Sequence, residues 1–516
     1  MARQDSVSCD YIVIGGGSGG CAAAGRLAET GAGSVILVES GGTNARPDVT
    51  QPDRWFELLS SDANWAYETV PQASAGDRIH VWSMGKVLGG SSSTNGMMYM
   101  RGAPWDYDGW ASDGNPGWDS ATVYSVFKQL ESYAQGKGET RGTDGPIRLT
   151  TVDGENPLTA AFLAACEECG VSRSPDFNGL DPEGADVQQL NVWDGRRQDA
   201  GVIFVDPQVE AGNLEVLLET TAERLVFEPG TGRVREVIVE RGGERRSIAV
   251  NREVIVSAGA LASPQLLLLS GVGPADELRE LGIDVEIDLP GVGSNLHDHI
   301  GVPVPFETKG PYPASRFQMV EANAYFKSEP ADEHYNVQVP FQLFPFVPPG
   351  FGGYEFENGY TLYPGLLKPR SRGRLSLKSA DPTARPLIDP AYLSDDDDVR
   401  RLVLAVQKAR EIGGADAFGE WRKREALPGE DVHGTADLER YVRGSAATYF
   451  HPVGTCRMGS APESVVGADL KVHGADNLRV ADASVMPDSP SGNTNAPTMM
   501  IGWRAAEFVL GGNGAR

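Results

Sequence analysis

His451 stands in TYFHPVGTCRMG, residues 448–459, between Phe450 and Pro452, in a chain with seven histidines among 516 residues. An imidazole with its ordinary pKa near 6.5 is mostly neutral yet basic at working pH, so it can take a proton from a hydroxyl group. The same residue type also ligates metals or fills cores, and the stretch alone leaves all three roles open. The metal role is the weakest. His297 and His299 flank Asp298 in LHDH, but no cysteine or carboxylate cluster stands at ligand spacing, so no metal is expected and those histidines are read as local hydrogen-bonding groups. Cys456, five residues on from His451, reads as a small buried hydrophobe.

A second chemical signal lies at the other end of the chain. YIVI at 11–14 runs into GGGSGG at 15–20 and then the small-residue CAAAGRLAE, which predicts strand, glycine turn, helix. Gly15, Gly17 and Gly20 have the G-x-G-x-x-G spacing: a tight turn, close backbone approach to a pyrophosphate, and helix packed on strand. The N–H groups at the start of that helix suit a phosphate. The next strand, SVILVE, ends in Glu39, where an acid is expected to accept from a ribose hydroxyl. Gly16, Ser18 and Gly20 also match a nucleophile elbow, but only one strand precedes Ser18, too few for a hydrolase sheet. The glycines imply a dinucleotide and leave NAD or FAD undecided.

These groups must be held together by what lies between them. A second glycine-serine turn, GKVLGGSSSTNG, occupies 85–96, and TTVDGENP at 150–157 reads as an exit from a first domain. Strand-like runs from about 214 end at Ser257–Ala260, whereas 306–440 is aromatic and strand-rich with one long helical segment. NLRVADASVMP and a final helix from about 497 close the chain. At this length two domains are expected, with the second inserted into the first.

Composition removes other classes. Forty per cent hydrophobic residues and a mean hydropathy of −0.28, with no long apolar run, exclude a spanning protein. A formal charge of −26 argues against nucleic acid. Five unpaired-looking cysteines and a strand starting almost at once, leaving no room for a signal peptide, lead us to expect a cytoplasmic protein, monomer or homodimer.

Five segments together resemble the glucose-methanol-choline (GMC) family of flavin oxidoreductases over nearly the whole chain: GGGSGG with Glu39, GKVLGGSSSTNG, GALASPQLLLLSGVG at 259–273, HPVGTCRMG, and VADASVMPDSPSGNTNAPTMM at 480–500. The resemblance implies an α/β protein with a discontinuous Rossmann-like FAD-binding domain (1–155, 197–305, 440–516). It also implies an inserted α+β substrate domain on an antiparallel sheet (156–196, 306–439). The cofactor implied is FAD, held non-covalently, since Thr94 falls where some members carry the histidine that links to flavin.

By the same resemblance, His451 is the base and Asn493 its partner, holding the substrate oxygen as a hydride leaves for flavin N5. Cofactor contacts are expected from Gly15, Gly17, Ser18, Gly20, Glu39, Gly89, Gly90, Asn95, Gly96, Ala222, Asp482, Ala483, Asn495 and Thr498. The substrate pocket is expected from Phe450, Phe341, Phe344 and Met97, with Phe346 and Phe351 in the same aromatic stretch. Ile300 and Gly301 stand where choline-oxidising members carry a carboxylate, and a further pocket histidine is missing near Pro340, which disfavours choline. The expected reaction is oxidation of an apolar or aromatic primary alcohol to the aldehyde, with O2 reduced to H2O2. A dehydrogenase with a quinone or protein acceptor is the alternative, and a lyase of the hydroxynitrile type that keeps FAD structurally is the alternative of another class.

Overall fold

The structure, a computed structural model, describes residues 7–135, 140–348 and 356–511. β1 (Val7–Ile14) is a β-branched run whose last four residues are buried, and it turns through the glycines into α1 (Ser18–Glu29). β2 (Val35–Val38) returns parallel to β1, completing the expected strand, turn, helix, strand unit.

These strands belong to a seven-stranded sheet. β1 pairs on its other side, in parallel, with the end of the long strand Glu244–Val256, which in turn pairs in parallel with Leu478–Val480. The carboxyl ends of β1, Glu244–Val256 and Leu478–Val480 therefore lie side by side, although about 460 residues of chain separate the first from the last. Ligands of open α/β sheets bind at such ends.

The final helix, α2 (Asn495–Val509), packs against α1. The contact is glycine on glycine: a Cβ at Gly502 would lie 2.0 Å from the Gly19 carbonyl oxygen. Ser18 Oγ donates to Asn495 Oδ1 at 2.8 Å, so the serine of the elbow-like match ties the first helix to the last rather than standing free.

A second, nine-stranded sheet takes its strands from 184–187, 300–366, 422–425 and 447–448. Ile300–Gly301 pairs antiparallel with Ala447–Thr448 in this sheet. Its centre is β3 (Val337–Gln342), bonded antiparallel to Ala322–Phe326 on one side and to Gly359–Leu362 and Gly365–Leu366 on the other. Val337, Val339 and Phe341 are fully buried, with Phe341 stacked on Phe162 of the helix Pro157–Glu168 at 4.6 Å and beside Phe418. The alternate residues Gln338, Pro340 and Gln342 face the other way, toward the first sheet. The acidic run Asp395–Asp398 opens the helix Asp396–Gly414, where the Asp395 side chain caps the Asp397 N–H and negative charge meets the positive end of the helix dipole. Among the described residues no helix is long and apolar enough to cross a membrane.

Candidate active site

One cavity runs between the two sheets. Its first end is backbone: Gly15, Gly17, Ser18 and Gly19, then Gly90, Asn95 and Gly96 of the second glycine turn, and Ser257–Ala262. Side chains are excluded there by geometry. Gly15 has φ +101°, and a Cβ on it would lie 2.5 Å from the Ser257 carbonyl oxygen; one on Gly90, at φ +54°, would lie 2.7 Å from the Gly17 Cα. Such a bare, N–H-lined cradle at the start of α1 fits a pyrophosphate.

Glu39 lines the same end. Its carboxylate accepts from the Gly16 N–H at 2.8 Å and the Gly41 N–H at 2.7 Å, and burial pushes its pKa up to about 7. Asp482 is buried among Gly259 N–H, Ser263 Oγ and Ser484 N–H, which bind the loop ends to one another. Asp482, Ala483, Asn495 and Thr498 all line the cavity. Gly20 and Gly89 lie behind its wall: a Cβ on Gly20 would lie 1.9 Å from the Gly15 carbonyl oxygen, so this glycine packs the helix on the strand. Ala222 is also off the cavity, paired with Val239 two residues beyond Thr220, whose N–H donates to the Glu39 carbonyl.

At the other end His451 meets Asn493. Asn493 Nδ2 is 3.2 Å from His451 Nε2, and His451 Nδ1 is 3.0 Å from Nδ1 of the buried His299. The loop that presents His451 is held by Asp298, whose Oδ1 accepts the His451 N–H at 2.8 Å while Oδ2 accepts from Thr448 Oγ1 at 2.6 Å and from the Tyr392 hydroxyl. Burial raises Asp298 to about 6 and lowers His451 to about 3, so the imidazole is neutral across the working range. Phe450, just before it, is in the left-handed region at φ +62° and 40% exposed on the cavity; Met97, across from it, is also left-handed at φ +59°. Such strain in non-glycine residues collects at functional sites.

Two of the expected pocket residues lie elsewhere. Phe341 is in the core, because its strand alternates and the odd positions face the helix layer. Phe344 is half-buried off the cavity, its carbonyl accepting from Thr361 Oγ1, and Phe346 lies behind Tyr363 at 5.6 Å. Phe351 lies outside the described residues. In their place the substrate end is lined by Gln338, Pro340, Gln342, Val320, Tyr363 and Tyr449, with Met97 and Phe450. The alternation Val-Gln-Val-Pro-Phe-Gln carried that signal, since its odd positions are all apolar and its even ones are not. Asp298 and His299 are the direct supports of His451; from sequence His299 is expected only to serve local hydrogen bonding, and Asp298 carries no assigned role.

A dinucleotide cradle leading into a histidine-amide pair defines a flavin-dependent oxidoreductase. The GMC oxidoreductase amino-terminal model matches residues 9–301 and the carboxy-terminal model 369–502, and the chain belongs to that family. It is 37% identical to the oxygen-dependent choline dehydrogenase of Sinorhizobium fredii over 98% of this chain and 96% of that protein. It is also 37% identical to the alcohol dehydrogenase [acceptor] of Pseudomonas putida, over 97% and 95%. Pyridoxine 4-oxidase from Mesorbium loti superposes with a TM-score of 0.93 at 33% identity, covering 97% of this chain and 99% of that one. The chain is thus an FAD-binding oxidoreductase acting on CH–OH donors.

Proposed function

We propose that the chain oxidises an uncharged primary alcohol with an apolar or aromatic body to the aldehyde, holds FAD non-covalently, and passes the electrons to O2. The observation that carries this reading is the hydrogen-bonded series His299, His451, Asn493 at the end of a cavity continuous with the glycine cradle. Bound FAD supplies the hydride acceptor. Gly15, Gly17, Glu39, Gly90, Asn95, Asp482 and Asn495, all of which line the cavity, would hold it.

His451 takes the hydroxyl proton on Nε2. With that nitrogen unprotonated and accepting from Asn493 Nδ2, the neutral ring carries its proton on Nδ1 and donates it to His299 Nδ1, which fixes the tautomer. Asn493 Nδ2, beside the same Nε2, steadies the substrate oxygen as negative charge grows on it. Asp298 and the turn through Phe450 hold the imidazole still while the proton moves.

A quaternary ammonium substrate is disfavoured. No carboxylate lies among the described lining residues of the substrate end; Glu39 and Asp482, the acids on the cavity, belong to the cofactor end. At Gly301 there is no room for one, since a Cβ would lie 2.3 Å from the Tyr449 ring. Thr94 lines the cavity at the linkage position and has no nucleophilic ring nitrogen.

Anaerobic mixing of the yellow protein with a panel of primary alcohols tests the reaction, followed by admission of air. Bleaching, then rapid return of colour with peroxide, is the expected result; bleaching that air reverses only slowly points to a quinone or protein acceptor. Acid precipitation should release all the flavin into the supernatant.

A further inference from the structure

β3 turns two carboxamides into the cavity, and no described residue satisfies either carbonyl oxygen. Gln338 is fully buried and its Nε2 donates to Asn493 Oδ1 at 3.2 Å and to the Tyr325 hydroxyl at 3.0 Å, leaving Oε1 without a partner among the described residues. Gln342 lines the same face, and its buried Oε1 likewise has no described partner. At about 3.3 Å per residue their Cα atoms are about 13 Å apart, so one lies beside the reacting carbon and the other toward the far end of the substrate.

Neighbouring hydroxyls do not answer them. The Tyr363 hydroxyl donates to the Thr448 carbonyl and the Tyr449 hydroxyl to the Tyr363 carbonyl, while Val320, Pro340, Met97 and Phe450 have no side-chain donor. Buried acceptors are rarely left open in folded proteins, and a donor on the ligand is the direct way to close them.

We propose that this cavity selects primary alcohols bearing a second hydrogen-bond donor, a hydroxyl or N–H, which the carbonyl oxygens of Gln338 and Gln342 accept. The inference rests on the alcohol-oxidising reading above and names its substrate class. Tyr363, Tyr449 and Phe450 take the flat, apolar part of such a molecule, and the amides read its polar edge. An analogue with hydrogen or methoxy in place of the second hydroxyl leaves an oxygen facing no proton. A site built around hydrogen bonds discriminates against such losses far more strongly than an apolar wall discriminates a methylene group.

The test uses the holoenzyme and benzyl alcohols carrying hydroxyl, methoxy or hydrogen at each ring position in turn. For at least one position the hydroxyl member should exceed the other two in kcat/KM by on the order of 10²-fold. Gln342→Leu should shrink that ratio at least about tenfold, chiefly through KM, whereas Gln342→Glu, which keeps an acceptor, should retain a preference. Equal kcat/KM across every set, or a ratio that survives Gln342→Leu, would overturn the inference and assign the amides to bound water. Phenol and anisole, which cannot be oxidised here, provide a second readout on the unaltered protein. Phenol should perturb the bound FAD absorbance at a concentration at least tenfold lower than anisole, and equal titrations count against the amides. If no alcohol of any set bleaches the flavin, the oxidation reading falls, while the phenol and anisole titrations still decide whether the amides accept a donor.

Discussion

The two ends of the cavity are built on different terms. The cofactor end is made of backbone, and its requirements are for missing atoms: no Cβ at Gly15, none at Gly90, none at Gly19 against the Ala481 carbonyl. The substrate end is made of side chains, and there the requirement is for parity along a strand, with Gln338, Pro340 and Gln342 inward and Val339 and Phe341 outward. A backbone cradle tolerates little change of residue type and leaves a mark in the sequence. A side-chain wall can be rewritten residue by residue on an unchanged sheet.

The sharpest break of that contrast is at the junction of the two ends. His451→Ala should leave FAD bound, seen in an unchanged visible spectrum, while cutting the rate of flavin reduction by about 10²–10⁴-fold. If reduction keeps its original rate, the base lies elsewhere. Next comes Phe341→Ala, which should lower stability by about 3–5 kcal/mol in a denaturant melt because the ring is stacked in the core. The kcat/KM per folded molecule should stay within about twofold; a large rise in KM would return Phe341 to the pocket.

Gly90→Ala probes the cradle. Left-handed strain of about 1–3 kcal/mol should weaken FAD binding by roughly 5–150-fold, read by equilibrium dialysis of the apoprotein. A smaller effect is expected from pH. With Glu39 raised to about 7 by burial, and a ribose hydroxyl donating to its ionised form, FAD affinity should rise as pH increases through 7, and Glu39→Gln should flatten that rise. For stability the depressed and raised groups pull in opposite directions. His451 near 3, His80 near 4 and the depressed His297 and His299 hold fewer protons folded than unfolded and lower the thermal midpoint as pH drops from about 6.5 toward 4. Glu39, raised to about 7, and Asp298, raised to about 6, hold more and raise it, so Glu39→Gln should steepen the loss of thermal midpoint over that range.

Much of this was readable in advance, for physical reasons. A glycine in a left-handed turn has no substitute, so Gly15 and Gly90 announce their geometry, and the β-branched run at 11–14 leaves little doubt about β1. Phe341 lies in the core because its strand has a two-residue period, which aromatic content alone does not carry, and Phe344 stands beyond the end of that strand, where no parity applies. Support for His451 was hidden differently. Asp298 and His299 are brought beside it by the pairing of Ile300 with Thr448 and of His297 with Val453, contacts between distant parts of the chain that no local pattern encodes. Ala222 lies off the cavity, paired with Val239, and sheet order rather than local residue type decides which strand end reaches a ligand.

The clasp between Ser18 and Asn495 has a consequence for how the protein comes into being. Because the glycine turn is completed by a helix that begins 477 residues after Ser18, a chain emerging from the ribosome has no finished cofactor seat until that helix has also been released. The catalytic amide, two residues before Asn495, arrives with that same closing step. Flavin capture and the assembly of the reactive pair are therefore one event in time, and a nascent chain stalled short of residue 493 would hold neither.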